Sequence, residues 1–155
     1  MRTSANGLAL IKQFEGLRLQ VYKDAAGLAT IGYGHKITSD EGEALAVLIN
    51  GKWIPYHTTG IADAQANALL QSDVDKVDAA MNAQHLALDL NQNQWDAVAD
   101  FAFNCGTGAL VKLLAHGIDQ IPAQLPRWCH AGGQELPGMV TRRAAEVELY
   151  NTIPT

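Results

Sequence analysis

In "SANGLALIKQFEG" the apolar residues Leu8, Ile11 and Phe14 fall on one side of a helix that Thr3 or Ser4 caps and Gly16 stops. Glu15, four positions after Ile11, closes the C-terminal end of that apolar face. The period then changes. "LRLQVY" and "ATIGYG" alternate or carry β-formers around "KDAAGL", which predicts a β-hairpin with Asp24 at its bend and Thr30 opening the returning strand. A helix is expected from Asp40 to Leu48, followed by a third short extended piece around Trp53 to His57.

Beyond Gly60 the pattern is helical. "ADAQANALLQSDVDKVDAAM", from Ala62 to Met81, places Ala66, Leu69, Leu70, Val74, Val77 and Met81 on one stripe of a long helix. Asn91 and Gln94 form a capping pattern before a helix whose Trp95, Val98, Ala99 and Ala102 share a face up to Gly106. Further helices are expected over Gly108 to His116, Ile121 to Leu125, and Pro137 to Tyr150, where Pro137 suits a first turn. With the strands confined to the first third, the fold class is α+β. A small N-terminal lobe with a β-hairpin or short antiparallel sheet spans residues 14–61, and a connecting helix spans 62–81. A larger helical lobe covers 82–155 together with helix 3–15, and all of it forms one domain over 1–155.

The 155 residues suffice for a sizeable core without a metal or disulfide staple. No apolar run approaches the roughly 20 residues of a membrane span. Lys12 and Glu15 interrupt what would be the core of a signal peptide, so the N-terminus reads as mature helix and export is expected to depend on another component. The formal charge is −5 and only Arg142 and Arg143 are adjacent basic residues, which argues against nucleic acid as a partner. Any anionic polymer would be held by short-range groove contacts. Cys105 and Cys129 are expected to be two buried thiols, the alternative being a bridge formed in an oxidising compartment. His35, His57, His85, His116 and His130 show no metal-ligand spacing, so no metal and no cofactor is expected.

Two acids stand out in this setting. Burial at the apolar end of a helix disfavours the charged form of a carboxylic acid, which is what a general acid needs; the alternative for Glu15 is a core-closing pair with an arginine of the last helix. Asp24 alone could simply satisfy the backbone of its turn. Together, an acid on a helix end, a second carboxylate nine residues on and a hydroxyl six residues later are the minimal apparatus for breaking a glycosidic bond.

The stretch "FEGLRLQVYKDAAGLATIGYGH" resembles the catalytic segment of the phage-type lysozymes, the muramidases of glycoside hydrolase family 24. "QSDV", "NQNQWDAVADFAFNCGTGA", "PRWCHAGG" and "LPGMVTRRAAEVELY" follow in the order of that family's later blocks, so the resemblance covers nearly the whole chain. It implies a lysozyme-like fold with a cleft between the lobes, and cleavage of the β-1,4 bond between N-acetylmuramic acid and N-acetylglucosamine in peptidoglycan. By the same resemblance, Glu15 would protonate the leaving oxygen, and Asp24 and Thr30 would position the attacking water for an inverting hydrolysis. Lys36, Phe103 and Asn104 would bind the sugars, and His35 and Asp73 would form a structural ion pair; Arg142 and Arg143 would either reach Glu15 or be solvated. The segment before "RWCHAGG" is shorter than in the family, so no groove contacts are transferred from it.

The implied setting is a phage endolysin that acts as a monomer. It would wait in the bacterial cytoplasm and reach the periplasm and wall when a separate pore-forming protein opens the membrane. The rival readings are a lytic transglycosylase, which makes an anhydro product, a catalytically silent glycan-binding module, and a peptidase or amidase using Cys105 as nucleophile.

Overall fold

A computed structural model describes residues 1–86 and 89–154; the expected helical lobe also covers positions 87, 88 and 155, which lie outside them. The chain divides into two compact units, one of Met1–Leu10 with Asp75–Thr155, the other of Ile11–Val74. Helix α1 (Ala5–Glu15) and the long helix α3 (Asp63–Ala83) each run from one unit into the other. The unit boundaries fall within these two helices; the expected lobes assign helix 3–15 to the helical lobe and 62–81 to the connection between lobes.

The Ile11–Val74 unit carries a three-stranded antiparallel sheet of β1 (Arg18–Lys23), β2 (Ala29–Gly32) and β3 (His35–Lys36), in that order. Tyr22 opposes Thr30 and Thr30 opposes Lys36, so the threonine sits on the central strand. Ile31, Val47, Ile49, Ile61, Ala66 and Leu69 form this unit's core. Gly60, at φ 74°, is fixed by proximity: a Cβ there would come within 2.1 Å of the Leu19 carbonyl oxygen.

The expected helix from Asp40 to Leu48 is corrected. Helix α2 (Ser39–Ala44) ends where Leu45 turns left-handed at φ 50°, and Ala46–Ile49 is strand β4, paired with β5 (Lys52–Pro55). The decisive signal is Asn50-Gly51. Both residues have positive φ, 50° and 76°, which is the backbone of the tight hairpin turn that Asn-Gly favours. β-Branched Val47 and Ile49 then prefer the pleated surface to another helical turn.

In the other unit α4 (Gln92–Cys105) lies at the centre of the core, and every residue from Trp95 to Ala102 is buried. Its start is the expected capping box: Asn91 accepts from the Gln94 N–H while the Gln94 side chain accepts from the Asn91 N–H. Being encased, α4 also buries acids that had to find partners. Asp96 accepts from the Ser4 N–H (2.9 Å) and hydroxyl. Asp78 of α3 accepts from the Thr3 N–H (2.9 Å) and hydroxyl (2.7 Å) and from the Trp95 indole (2.9 Å). These bonds dock the chain start and cap α1, with Ser4 Oγ accepting from the Asn6 N–H.

Helices α5 (Thr107–Leu114), α6 (Ile121–Gln124) and α7 (Pro137–Asn151), with 3₁₀ turns at Ile118–Gln120 and Leu125–Arg127, complete the unit. The expectation that strands stop after the first third is also corrected. His130–Ala131 (β6) and Gln134–Glu135 (β7) pair antiparallel around Gly132 and Gly133, both at positive φ. Two-residue strands are too short to show a period of two, which is why alternation missed them.

Candidate active site

Glu15 is the last residue of α1 and is half-buried. Gly16, at φ 68°, ends the helix while its N–H still donates to the Lys12 carbonyl (3.0 Å). The carboxylate rests against the turn between β2 and β3, where a Cβ added to Gly34 would lie 2.5 Å from Glu15 Oε2. Gly34 has φ 79°, so both the turn and the close approach require glycine.

Asp24 occupies the β1–β2 bend, as the turn chemistry of "KDAAGL" indicates. One oxygen accepts from the Ala26 and Leu28 N–H groups (2.9 and 2.8 Å), and the other accepts from the Lys36 ammonium. The Lys36 ammonium first, then the Leu28 amide, hold the Asp24 carboxyl below its ordinary 3.8. Asp24 is therefore built to stay ionised. Lys36, expected as a sugar-binding residue, is engaged here with Asp24.

Thr30 is fully buried, and its hydroxyl donates to the Leu28 carbonyl (3.0 Å). A hydroxyl that donates in this way keeps its lone pairs for accepting. A single β-hairpin, residues 29–36, thus carries Thr30, the lysine paired with Asp24 and the glycine against Glu15. A cavity of about 240 Å³ in the same unit is lined by Gln20, Val21, Tyr56, His57, Thr58 and Gly60, none of them from this trio.

His35 Nδ1 lies 2.6 Å from Asp73 Oδ2, and Nε2 lies 2.9 Å from Glu41 Oε2. Burial alone would lower the imidazole's proton affinity, but the two carboxylates reverse this and hold His35 above its usual 6.5. Glu41 is the member that sequence reasoning missed. It is buried, closes a capping box with Thr38 and accepts from the Leu48 N–H (3.1 Å), so one carboxylate ties α2, β4 and the His35 ring together. Burial opposes its charge, yet the Thr38 N–H and His35 keep it below 4.5. The four-residue signature "TSDE" was the available signal.

In the other unit Phe103 is half-buried against the core, and Asn104 Oδ1 accepts from Arg143 Nη2 (2.9 Å). The solvated reading of the arginine pair is overturned. Arg142 and Arg143 are 4% and 1% exposed. Arg142 makes a two-pronged bond to Asp100 (2.9 and 2.8 Å), while Arg143 also reaches Cys105 Sγ (3.0 Å) and lies over the Phe101 ring at 5.0 Å. Glu146, packed beside them, is pushed up to about 10, chiefly by burial and next by the neighbouring Asp100 carboxyl. Both cysteines are free thiols, Cys129 buried as expected but Cys105 only half-buried. Among the described residues, Cys129, His130 and Glu135 bring three potential metal-ligating atoms together.

Residues 12–146 match the phage lysozyme family. The endolysin of Acyrthosiphon pisum secondary endosymbiont phage 1 is 35% identical over 98% of this chain and 99% of its own length. The endolysin of Lactococcus phage c2 is 34% identical over 97% of this chain, which spans 61% of that protein. Among solved structures, an endolysin from Escherichia coli O157:H7 phage FAHEc1 superposes with TM-score 0.73 and 30% identity, covering 100% of this chain and 98% of that one. A P22 lysozyme variant gives 0.73 at 27% identity, with 98% and 99% coverage. With its α+β architecture and a match over most of its length, the chain belongs to the phage lysozyme family and is a glycosidase-type hydrolase of the endolysin kind.

Proposed function

We propose that this chain cleaves the β-1,4 bond between N-acetylmuramic acid and N-acetylglucosamine in peptidoglycan, by acid-assisted hydrolysis with inversion. Glu15 protonates the leaving glycosidic oxygen. Asp24 orients and deprotonates a water on the opposite sugar face, with Thr30 behind it as a hydrogen-bonding support. The observation that carries this reading is how the β2–β3 hairpin serves both acids: its Lys36, with two backbone N–H groups, holds Asp24 ionised, and its Gly34 lies against the Glu15 carboxylate. Inversion requires the two carboxyl groups to stand roughly 6.5–9.5 Å apart, leaving room for the water.

The remaining roles follow from the same reading. His35 and Asp73, with Glu41, brace the segment behind the catalytic hairpin and take no part in proton transfer. Phe103 and Asn104 offer a ring face and an amide to an N-acetyl sugar, with Arg143 orienting that amide. The enzyme works as a monomer. It collects in the host cytoplasm and reaches the wall through a membrane lesion made by another protein; among the described residues no helix is long and apolar enough to cross a membrane.

Digestion of purified peptidoglycan tests the reaction. Glu15→Gln should abolish release of reducing ends, and mass spectrometry of wild-type digests should show hydrated muropeptides, whereas anhydro products would establish a transglycosylase. Proton NMR of the first-formed product should show the α-anomer; a β-anomer would mean retention.

A further inference from the structure

The β6–β7 hairpin carries chemistry that glycan hydrolysis does not use. Cys129 Sγ stands 3.3 Å from His130 Nδ1 and 3.7 Å from Glu135 Oε2. All three atoms lie within 4.8 Å of one another. We propose that Cys129, His130 and Glu135 form a binding site for one zinc-like divalent cation, with water completing a tetrahedron.

Geometry supports this first. Tetrahedral zinc holds sulfur at about 2.3 Å and nitrogen or oxygen at about 2.0–2.1 Å, which puts neighbouring ligand atoms about 3.5 Å apart. The two sulfur distances bracket that spacing, and the His130 and Glu135 ligand atoms lie within 4.8 Å of each other. The backbone is also fixed in the required register. His130 and Glu135 are directly opposed in the ladder, the Leu136 N–H donates to the Cys129 carbonyl (2.9 Å), and Gly132 and Gly133 make the tight turn.

The donor set decides which cation. A thiolate, an imidazole and one carboxylate suit zinc, whereas magnesium and calcium require oxygen ligands throughout. Access is one-sided: Cys129 is 4% exposed and forms the floor, while His130 and Glu135 are exposed and form the rim. On binding, the thiol proton that Sγ donates to Glu135 leaves to solvent, and zinc–sulfur and zinc–oxygen bonds replace that hydrogen bond. The ion would clamp two-residue strands that are marginal by themselves.

The test is calorimetric titration of the reduced, chelator-treated full chain with zinc chloride. One equivalent should bind, and cobalt in its place should give the near-ultraviolet thiolate-to-metal absorption and the visible bands of a tetrahedral site. His130→Ala and Glu135→Gln alter exposed side chains and leave the fold intact; each should weaken binding at least tenfold. Cys129→Ser should remove the thiolate absorption. Failure to bind zinc, or binding that His130→Ala leaves unchanged, would overturn the proposal. Wall lysis by the same variants is expected to persist, which separates this site from the catalytic reading.

Discussion

The backbone of Gly34 lies against the carboxylate of Glu15 so closely that a methyl group at position 34 would stand 2.5 Å from Oε2. The atom in the way is the far end of a flexible side chain, so Gly34→Ala should fold and displace the acid. Left-handed backbone strain costs about 1–2 kcal/mol, while a shift of about 1 Å at a catalytic group costs on the order of 100-fold in rate. Melting temperature and lysis rate measured on the same preparation should show a small fall in the first and a large one in the second. Loss of both in proportion would reduce Gly34 to a folding residue.

Lys36 controls Asp24 from across the hairpin. Replacing it by Met removes the main influence holding that carboxyl below 3.8, so its proton affinity rises. The acid limb of the activity–pH profile should then move to higher pH, because a larger fraction of Asp24 is neutral at any given acidity. An unmoved acid limb would remove Asp24 from the essential ionised groups.

The His35 cluster sets a stability window. His35 binds its proton more tightly folded than unfolded, so its contribution is complete below 6.5 and is lost as pH rises through the higher folded value. Glu41 behaves in the opposite sense, contributing above 4.5 and losing that as pH falls through its lower folded value. The cluster's own contribution should therefore be level between these limits, superposed on the decline that Glu146 imposes. Asp73→Asn should cost about 2 kcal/mol near pH 6, and less as pH rises through the raised folded value of His35 and its charge is lost.

Glu146 binds its proton more tightly folded than unfolded: burial and Asp100 push it up to about 10 against the opposing pull of Arg143 Nη2 at 2.6 Å. Unfolding releases that proton above 4.5, so this residue's contribution to stability declines as pH rises from there. Glu146→Gln keeps the shape and removes the titration. The variant should match the wild type near pH 4.5 and gain on it steadily toward pH 8 in urea titrations. A variant that loses stability at neutral pH would show the carboxylate to be ionised in the fold.

Much of this was legible along the chain because the signals are local. The β1–β2 hairpin that follows Glu15, the α4 capping box and the stripe of α3 each rest on residues within a few turns of one another. Misreadings arose where a short signal competed with a longer one. Asn50-Gly51 specifies a hairpin, yet the helical start at Thr38 and Glu41 carried the expectation on to Leu48. Long-range pairing is not legible in the residues themselves; the contact of His35 with Asp73, 38 positions away, is expected only through the family resemblance. Nothing in "TRRAAE" shows that Arg142 grips Asp100 or that Arg143 holds Asn104, because those partners lie 42 and 39 positions away. The same holds for Glu41, whose capping role could be read but whose second carboxylate contact with His35 could not.

Trp95 to Ala102 forms eight successive buried positions in a single helix. Transient openings that expose a helix's outer face to deuterium have nothing to expose here short of dismantling the surrounding unit. The amides of α4 should consequently be the last in their unit to exchange, retaining protium long after the terminal turns of α7 have equilibrated with solvent.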